Sequence, residues 1–169
     1  MSKIQFKSPD ISHAEQIAKM VRESEKLDSN SDYYYAIWCT DFSRHSAVAL
    51  KDNEVIAFVT GYRRPTAPET YFLWQTATKP RHGVPNLGVD LIQFAAEKEI
   101  ERGANAIEAS VDAQNTPIII LMKTLCRRLG GKIKTSVLFS SEVLSATGAD
   151  HHDETLYRID LASSSMSAA

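Results

Sequence analysis

Three short stretches of this chain hold residue types that do chemistry. LDSNSDYYYAIWCTDF, residues 27–42, begins polar with Asp28, Asn30, Ser31 and Asp32 and turns aromatic with Tyr33, Tyr34, Tyr35 and Trp38. GVPNLG, residues 83–88, is a turn built on glycine and proline. His151, His152, Asp153 and Glu154 stand together near the end. Nucleophilic hydrolysis is the first chemistry to weigh. Serines and histidines are present, but no G-x-S-x-G elbow exposes a serine, and Cys126 within an apolar helical run reads as core. Consecutive metal-capable side chains point in different directions, so residues 151–154 read as a solvated loop or a substrate contact rather than a metal centre. GVPNLG lacks the lysine–hydroxyl pair of a nucleotide P-loop and the spacing of a dinucleotide fingerprint. What survives is group transfer from a phosphate-bearing carrier to a small polar acceptor. That reaction needs an amine positioned against a thioester, removal of one proton, and N–H donors for a tetrahedral oxyanion.

Elements must hold these stretches in place. TYFLWQTATKP, residues 70–80, is rich in aromatic and β-branched residues and reads as the central strand. It feeds the 83–88 turn, after which Leu87, Leu91, Phe94 and Ala95 recur at helical spacing. Free backbone N–H groups and the positive end of the dipole make such a helix start an anion site, although an ordinary strand–loop–helix unit reads the same way. Ahead of it, Ile4–Phe6 is a short strand, and Ser12 with Glu15 forms a capping box for a helix bearing Ala14, Ile17, Met20 and Val21 on one side. Ser31 caps a second, short helix. Three consecutive tyrosines cannot share one side of that helix, so at least one hydroxyl is expected to line a surface or a pocket. Residues 46–51 and 54–62 form a hairpin about Asp52-Asn53, and 63–68 read as a loop. Behind the centre, Gly103 ends the helix and 106–111 is a strand. Asn115-Thr116-Pro117 opens a helix that Gly130-Gly131 closes. Residues 132–140 and 156–159 are strands with a loop between them. The order predicts an α/β (α+β) fold with a mixed central sheet flanked by helices, in a single domain over 1–162 with a flexible tail at 163–169.

Composition narrows the partners. A hydrophobic share of 43% with 24% charged residues is that of a globular chain. A net charge of −2 leaves no basic footprint for nucleic acid. No apolar run reaches membrane length, and MSKIQFKSPD has no apolar signal core, so a cytoplasmic location is expected. Cys39 and Cys126 lie far apart and make neither a disulfide framework nor a zinc cluster.

Taken together, the motifs resemble the Gcn5-related N-acetyltransferases (GNAT), and within them the L-2,4-diaminobutyrate acetyltransferases of ectoine biosynthesis. LDSNSDYYY (27–35) is similar to that family's L-D-x-N-S-x-Y-x-Y. FVTGYRRPTAPETYFLWQTAT (58–78) is similar to F-V-S-G-Y-x-x-P followed by x-P-x-T-x-F-V-W-Q-V-A-V. HHDETLYRI (151–159) is similar to H-x-x-E-x-L-Y-R-I, and the resemblance runs from Ile4 to Ile159. It implies acetyl-CoA as co-substrate, lying along Gln75, Thr76, Ala77 and Thr78. The pyrophosphate would sit over Gly83, Asn86, Leu87 and Gly88, with Asn115 also on the cofactor side. It implies an acceptor diamino acid held by Asp28, Asn30, Tyr33, Tyr35 and Trp74, and Glu154 or His151 as the base that deprotonates the γ-ammonium. A homodimer without a metal is implied too. A diamino acid carries two ammonium groups and one carboxylate, so carboxylates such as Asp28 and Glu154 suit it as anchors.

The chain also departs from that pattern. Where the family turn reads R-G-x-G-L-A, this chain has Gly83-Val84-Pro85-Asn86-Leu87-Gly88. The arginine is absent, Asn86 stands at the middle glycine, and Pro85 lacks an N–H that a phosphate cradle uses. Arg81 and His82 precede the turn and offer charge in another geometry. Ile118 and Ile119 occupy positions that are small or hydroxylic in the family. Met122 stands where many acetyltransferases of this fold, though not typically this branch, place a tyrosine that protonates the thiolate. Three readings stay open at this point: acetylation of diaminobutyrate, acetylation of a different small amino acid or diamine, and a CoA-deficient binding module.

Overall fold

The computed structural model describes residues 3–24, 27–145 and 152–162. Strands Ile4–Lys7 (β1), Ala47–Lys51 (β2), Glu54–Arg64 (β3) and Ala67–Thr78 (β4) pair antiparallel in that order. Asp52 and Asn53 take left-handed backbone, φ 52° and 65°, so the β2–β3 turn matches the twist of its strands. A helix, Leu87–Glu101 (α3), carries the chain from β4 to the parallel strand Ala106–Asp112 (β5). The last strands, Lys132–Phe139 (β6) and Glu154–Asp160 (β7), close a mixed seven-stranded sheet of order β1-β2-β3-β4-β5-β7-β6. Helices Ala14–Ser24 (α1), Asp32–Trp38 (α2), Thr116–Arg128 (α4) and Ser141–Leu144 (α5) complete the set. A mixed central sheet flanked by helices is the architecture the sequence predicts.

Each face of the sheet has its own core. On one, Leu87, Leu91 and Ile92 of α3 and Met122 and Leu125 of α4 pack on Val59, Tyr71, Leu73 and Ile107. On the other, Ile17, Met20 and Val21 of α1 and Tyr35 of α2 pack on Val48, Val55 and Phe58. Gly61 is required on β3: a Cβ there would come within 2.6 Å of the Tyr71 ring. Tyr71 is fully buried and donates its hydroxyl to the His45 carbonyl at 2.5 Å.

Three local expectations change, the simplest being that the loop expected after residue 140 opens with the short helix α5, Ser141–Leu144. The first helix is entered through a 3-10 turn, Ile11–His13, and the cap moves upstream to Asp10. The Asp10 side chain accepts from the Ser12 N–H at 3.0 Å, and the Asp10 N–H donates to His13 Nδ1 at 3.0 Å. Residues 63–68 are not a loop, because Arg64 pairs with Ala67 across a two-residue turn. The two arginines of this stretch each reach a buried carboxylate, on opposite faces of the sheet. Arg63 Nε donates to Glu99 at 2.6 Å, and Arg64 Nη1 to Glu108 at 2.5 Å. The tail expected at 163–169 lies outside the described residues. Among the described residues, no helix is long and apolar enough to cross a membrane.

Candidate active site

The centre of the sheet opens. β4 and β5 pair only from Thr70–Ala106 to Leu73–Ala109, although β4 continues to Thr78 and β5 to Asp112. The cause is a bulge. On β3, Gly61 pairs with Leu73 and Thr60 with Gln75, which leaves Trp74 as the extra residue. A bulge bends its strand and raises the local twist, and here it swings the second half of β4 away from β5. The open edges beyond Trp74 and Ser110 form a wedge. α3 follows the end of β4 and α4 follows the end of β5, so both helix starts lie at the wedge's open end, where open α/β sheets bind ligands.

The three motif segments meet at this wedge. Gln75 Nε2 donates to the Asp28 carbonyl at 3.2 Å, tying the 27–35 segment to the bulge. Ser31 caps α2, its Oγ accepting from the Tyr34 N–H at 3.3 Å. Glu154 starts β7 opposite Asp112 of β5, and its Oε2 accepts from Ser110 Oγ at 2.6 Å. Gln114, just beyond β5, lies 3.3 Å from His152 Nε2. Trp74 is 53% exposed, with its ring 6.4 Å from that of Phe72. His151 lies outside the described residues.

The tyrosines divide as helical geometry requires. Tyr33 is 76% exposed. Tyr35 is buried in the α1–α2 core, where its hydroxyl accepts from the Asn30 N–H at 3.4 Å. Asn30 Nδ2 reaches the Asp28 carbonyl at 3.5 Å, so Asn30 and Tyr35 shape the loop that presents the exposed Asp28 carboxylate. The hydroxyl left without a partner is that of Tyr34, which the motif reading passed over. Burial pushes its phenol well above the ordinary range. Ser110 was also passed over, since nothing local marks a strand serine as the neighbour of a glutamate 44 residues away.

On the cofactor side, the Thr76 hydroxyl donates to the Phe58 carbonyl at 2.8 Å. α3 begins after Asn86, which is left-handed (φ 58°) and caps no N–H with its side chain. Gly83 (φ 72°) and Arg81 (φ 58°) are left-handed as well. Leu87 anchors the turn in the core, and a Cβ on Gly88 would lie 3.6 Å from Thr78 Cγ2, an ordinary contact. His82 Nδ1 accepts from the Val84 N–H at 3.0 Å, which places the neutral ring's proton on Nε2. Arg81 and His82 also line a polar cleft of about 350 Å³ with Lys51, Asp52, Glu54 and Lys79, in which Lys79 is paired with Glu54. Asn115 caps α4, accepting from the Ile118 N–H at 3.4 Å. The larger groove, about 460 Å³ between α4 and β6, contains none of these residues.

A bulged central strand, a wedge between parallel neighbours and a helix start at its mouth define an acyl-transferase of one family. The chain belongs to the acetyltransferase (GNAT) family, whose model matches residues 12–125. Within it, the chain is 33% identical over 154 residues to the L-2,4-diaminobutyric acid acetyltransferase of Nocardia farcinica, covering 91% of this chain and 78% of that one. It is 33% identical over 158 residues to the enzyme of the same name from Streptomyces coelicolor, covering 92% of each. In structure it is similar to diaminobutyrate acetyltransferase EctA from Paenibacillus lautus in complex with L-2,4-diaminobutyric acid and coenzyme A. There the TM-score is 0.87 at 22% identity, over 95% of this chain and 96% of that one.

Proposed function

We propose that this chain transfers acetyl from acetyl-CoA to the γ-amine of L-2,4-diaminobutyrate. The observation that carries the reading is the convergence of Asp28, Trp74-Gln75 and Glu154 on one wedge, tied by the Gln75–Asp28 and Ser110–Glu154 hydrogen bonds. The open edge of β4, from Thr76 to Thr78, offers backbone donors and acceptors to the pantetheine arm of the co-substrate, whereas the Gln75 N–H and carbonyl are engaged by Thr60 Oγ1 at 3.2 and 3.3 Å. The N–H groups of Leu87 and Gly88, at the uncapped start of α3, face the pyrophosphate. Asp28 anchors an ammonium of the acceptor, and Trp74 covers its hydrocarbon part. Glu154, directly or through water, takes the proton from the γ-ammonium, and the freed amine attacks the thioester carbonyl. Backbone N–H groups at the bulge other than that of Gln75, which donates to Thr60 Oγ1, stabilise the oxyanion, which collapses with loss of the CoA thiolate, and the second amine proton passes to that thiolate. The two relatives at 33% identity bear the name of this reaction, which supports the same substrate here.

One observation favours a second reading. Pro85 and the left-handed, non-capping Asn86 reshape the phosphate turn, as a chain that no longer binds CoA would allow. Calorimetry with acetyl-CoA, run with and without diaminobutyrate, separates the two. Micromolar binding is expected, and no binding would leave only the binding-module reading. Acetylation assays across diaminobutyrate, ornithine and lysine then test the acceptor, with diaminobutyrate expected to give the highest kcat/KM.

We also assign a cytoplasmic homodimer. β6 is an edge strand that exposes Val137 (65%) and Phe139 (47%), apolar surface of the kind a second copy covers. Sedimentation should give a single species of twice 18.8 kDa. A monomer at micromolar concentration would overturn the assignment.

A further inference from the structure

Among the described residues, two buried side-chain atoms have no hydrogen-bond partner: the Tyr34 hydroxyl and Gln75 Oε1. Buried groups of this kind are paired in native proteins, and leaving one unpaired is destabilising. Both sit in rigid surroundings. Gln75 Nε2 is committed to the Asp28 carbonyl at 3.2 Å, which fixes the carboxamide and leaves its oxygen free. The Tyr34 ring stands edge-on to Tyr35, centroids 5.0 Å apart at 85°, and 5.7 Å from Trp38. Its hydroxyl lies beside the indoles of Trp74 and Trp38 without a hydrogen bond to either. The Tyr34 hydroxyl thus stands beside the side chain of Trp74, the bulge residue, and the free amide oxygen belongs to the next residue, Gln75, where β4 leaves β5.

We infer that the Tyr34 hydroxyl and Gln75 Oε1 together orient the amine that is acetylated. This rests on the acetyl-transfer reading above and adds a pair of residues to it. Position selects the amine: the bulge marks the start of the wedge, where the acceptor nitrogen must meet the thioester. Chemistry selects the acceptors. Glu154 takes the proton as the base; a further carboxylate beside the ammonium would hold the proton on it and oppose the deprotonation that attack requires. An amide oxygen and a hydroxyl accept N–H bonds from the ammonium and the neutral amine alike, and add no charge. The hydroxyl does not serve as the base, since burial keeps it protonated. Gln75 is thereby divided: its backbone N–H and carbonyl are held by Thr60 Oγ1 of β3, at 3.2 and 3.3 Å, and its carboxamide oxygen serves the acceptor.

The test is steady-state kinetics of Tyr34→Phe and Gln75→Glu against wild type, with both substrates varied and melting temperatures recorded. Tyr34→Phe removes only the unpartnered oxygen. It should leave Tm unchanged or raise it, raise KM for L-2,4-diaminobutyrate about tenfold, and leave KM for acetyl-CoA unchanged. Gln75→Glu puts a negative charge on the reacting ammonium and should lower kcat about tenfold while KM for diaminobutyrate falls. A hydroxyl with a purely structural role would do the reverse, lowering Tm and leaving the kinetics intact. Wild-type kcat and KM for diaminobutyrate in Tyr34→Phe overturn the inference, whatever Gln75→Glu does. A wild-type chain that acetylates no diaminobutyrate overturns the acetyl-transfer reading and this inference together, so the two failures are told apart by the wild-type assay alone.

Discussion

Replacing Glu154 with glutamine is expected to lower kcat for diaminobutyrate acetylation by about 10²- to 10⁴-fold, the range for loss of a general base. The fold should not notice. Glutamine keeps the volume, and its Oε1 can still accept from Ser110 Oγ, which lies 2.6 Å from Glu154. Backbone pairing of residue 154 with Asp112 and Phe139 does not depend on the side chain. What is lost is the capacity to take a proton from the acceptor at the wedge. Thermal melts and kinetics on the same preparation decide the matter. A Tm that falls along with kcat would make Glu154 a structural glutamate. Unchanged kcat would move the base to another group.

The largest expected loss of stability lies elsewhere, at Glu99. Its carboxylate is 1% exposed on the core side of α3. Oε2 accepts from Arg63 Nε at 2.6 Å, and Oε1 accepts from Arg102 Nη2 at 2.7 Å and meets His45 Nδ1 at 2.9 Å. Glu99→Ala leaves two guanidinium groups partly buried without their anion, which costs about 3–5 kcal/mol in buried pairs of this kind. That is a large fraction of a domain's stability. Chemical denaturation at pH 7 should show it as a lower midpoint with little change in slope. The penalty should also depend on pH in a definite direction. Burial alone would raise the Glu99 pKa, but Arg63, His45 and Arg102 outweigh it and hold the value below the ordinary 4.5. A depressed folded value means the contribution is complete above the unfolded pKa and fades as pH falls through the folded one. The gap between wild type and Glu99→Ala should therefore narrow in acid. A gap that stays constant from pH 7 into strong acid would show that the ion cluster is not its source.

Glu99 also marks where the sequence ceased to be informative. The helices and most strands followed from local pattern, because apolar periodicity and turn residues lie within a few positions of one another. Asn115 with Pro117 opened α4 as expected, and Ser31 capped α2. Two of the three partners of Glu99, Arg63 and His45, lie 36 and 54 residues away, so nothing local to α3 marks this glutamate as the centre of an ion cluster. Arg63 and Arg64 misled for the same reason, reading as loop when their charges were neutralised across the sheet. The motifs named the segments of the candidate site, and those segments do meet. The bulge at Trp74 was not legible, since it is a property of the register between β3 and β4 and not of either strand. Nor was the division of labour among the tyrosines. One free hydroxyl was expected, but which one depended on how α2 lies against the sheet.

The wedge between β4 and β5 has a consequence for how much of this protein a cell holds. A sheet interrupted at its centre is missing backbone hydrogen bonds that a bound ligand supplies in place of a strand. Ligand that binds only the folded chain stabilises it by about 2.7 kcal/mol at a hundredfold excess over Kd. Occupancy on that scale shifts the small unfolded fraction that proteases clear. The abundance of the chain should accordingly follow the supply of its thioester, so that the pool feeding the reaction also sets the lifetime of its catalyst.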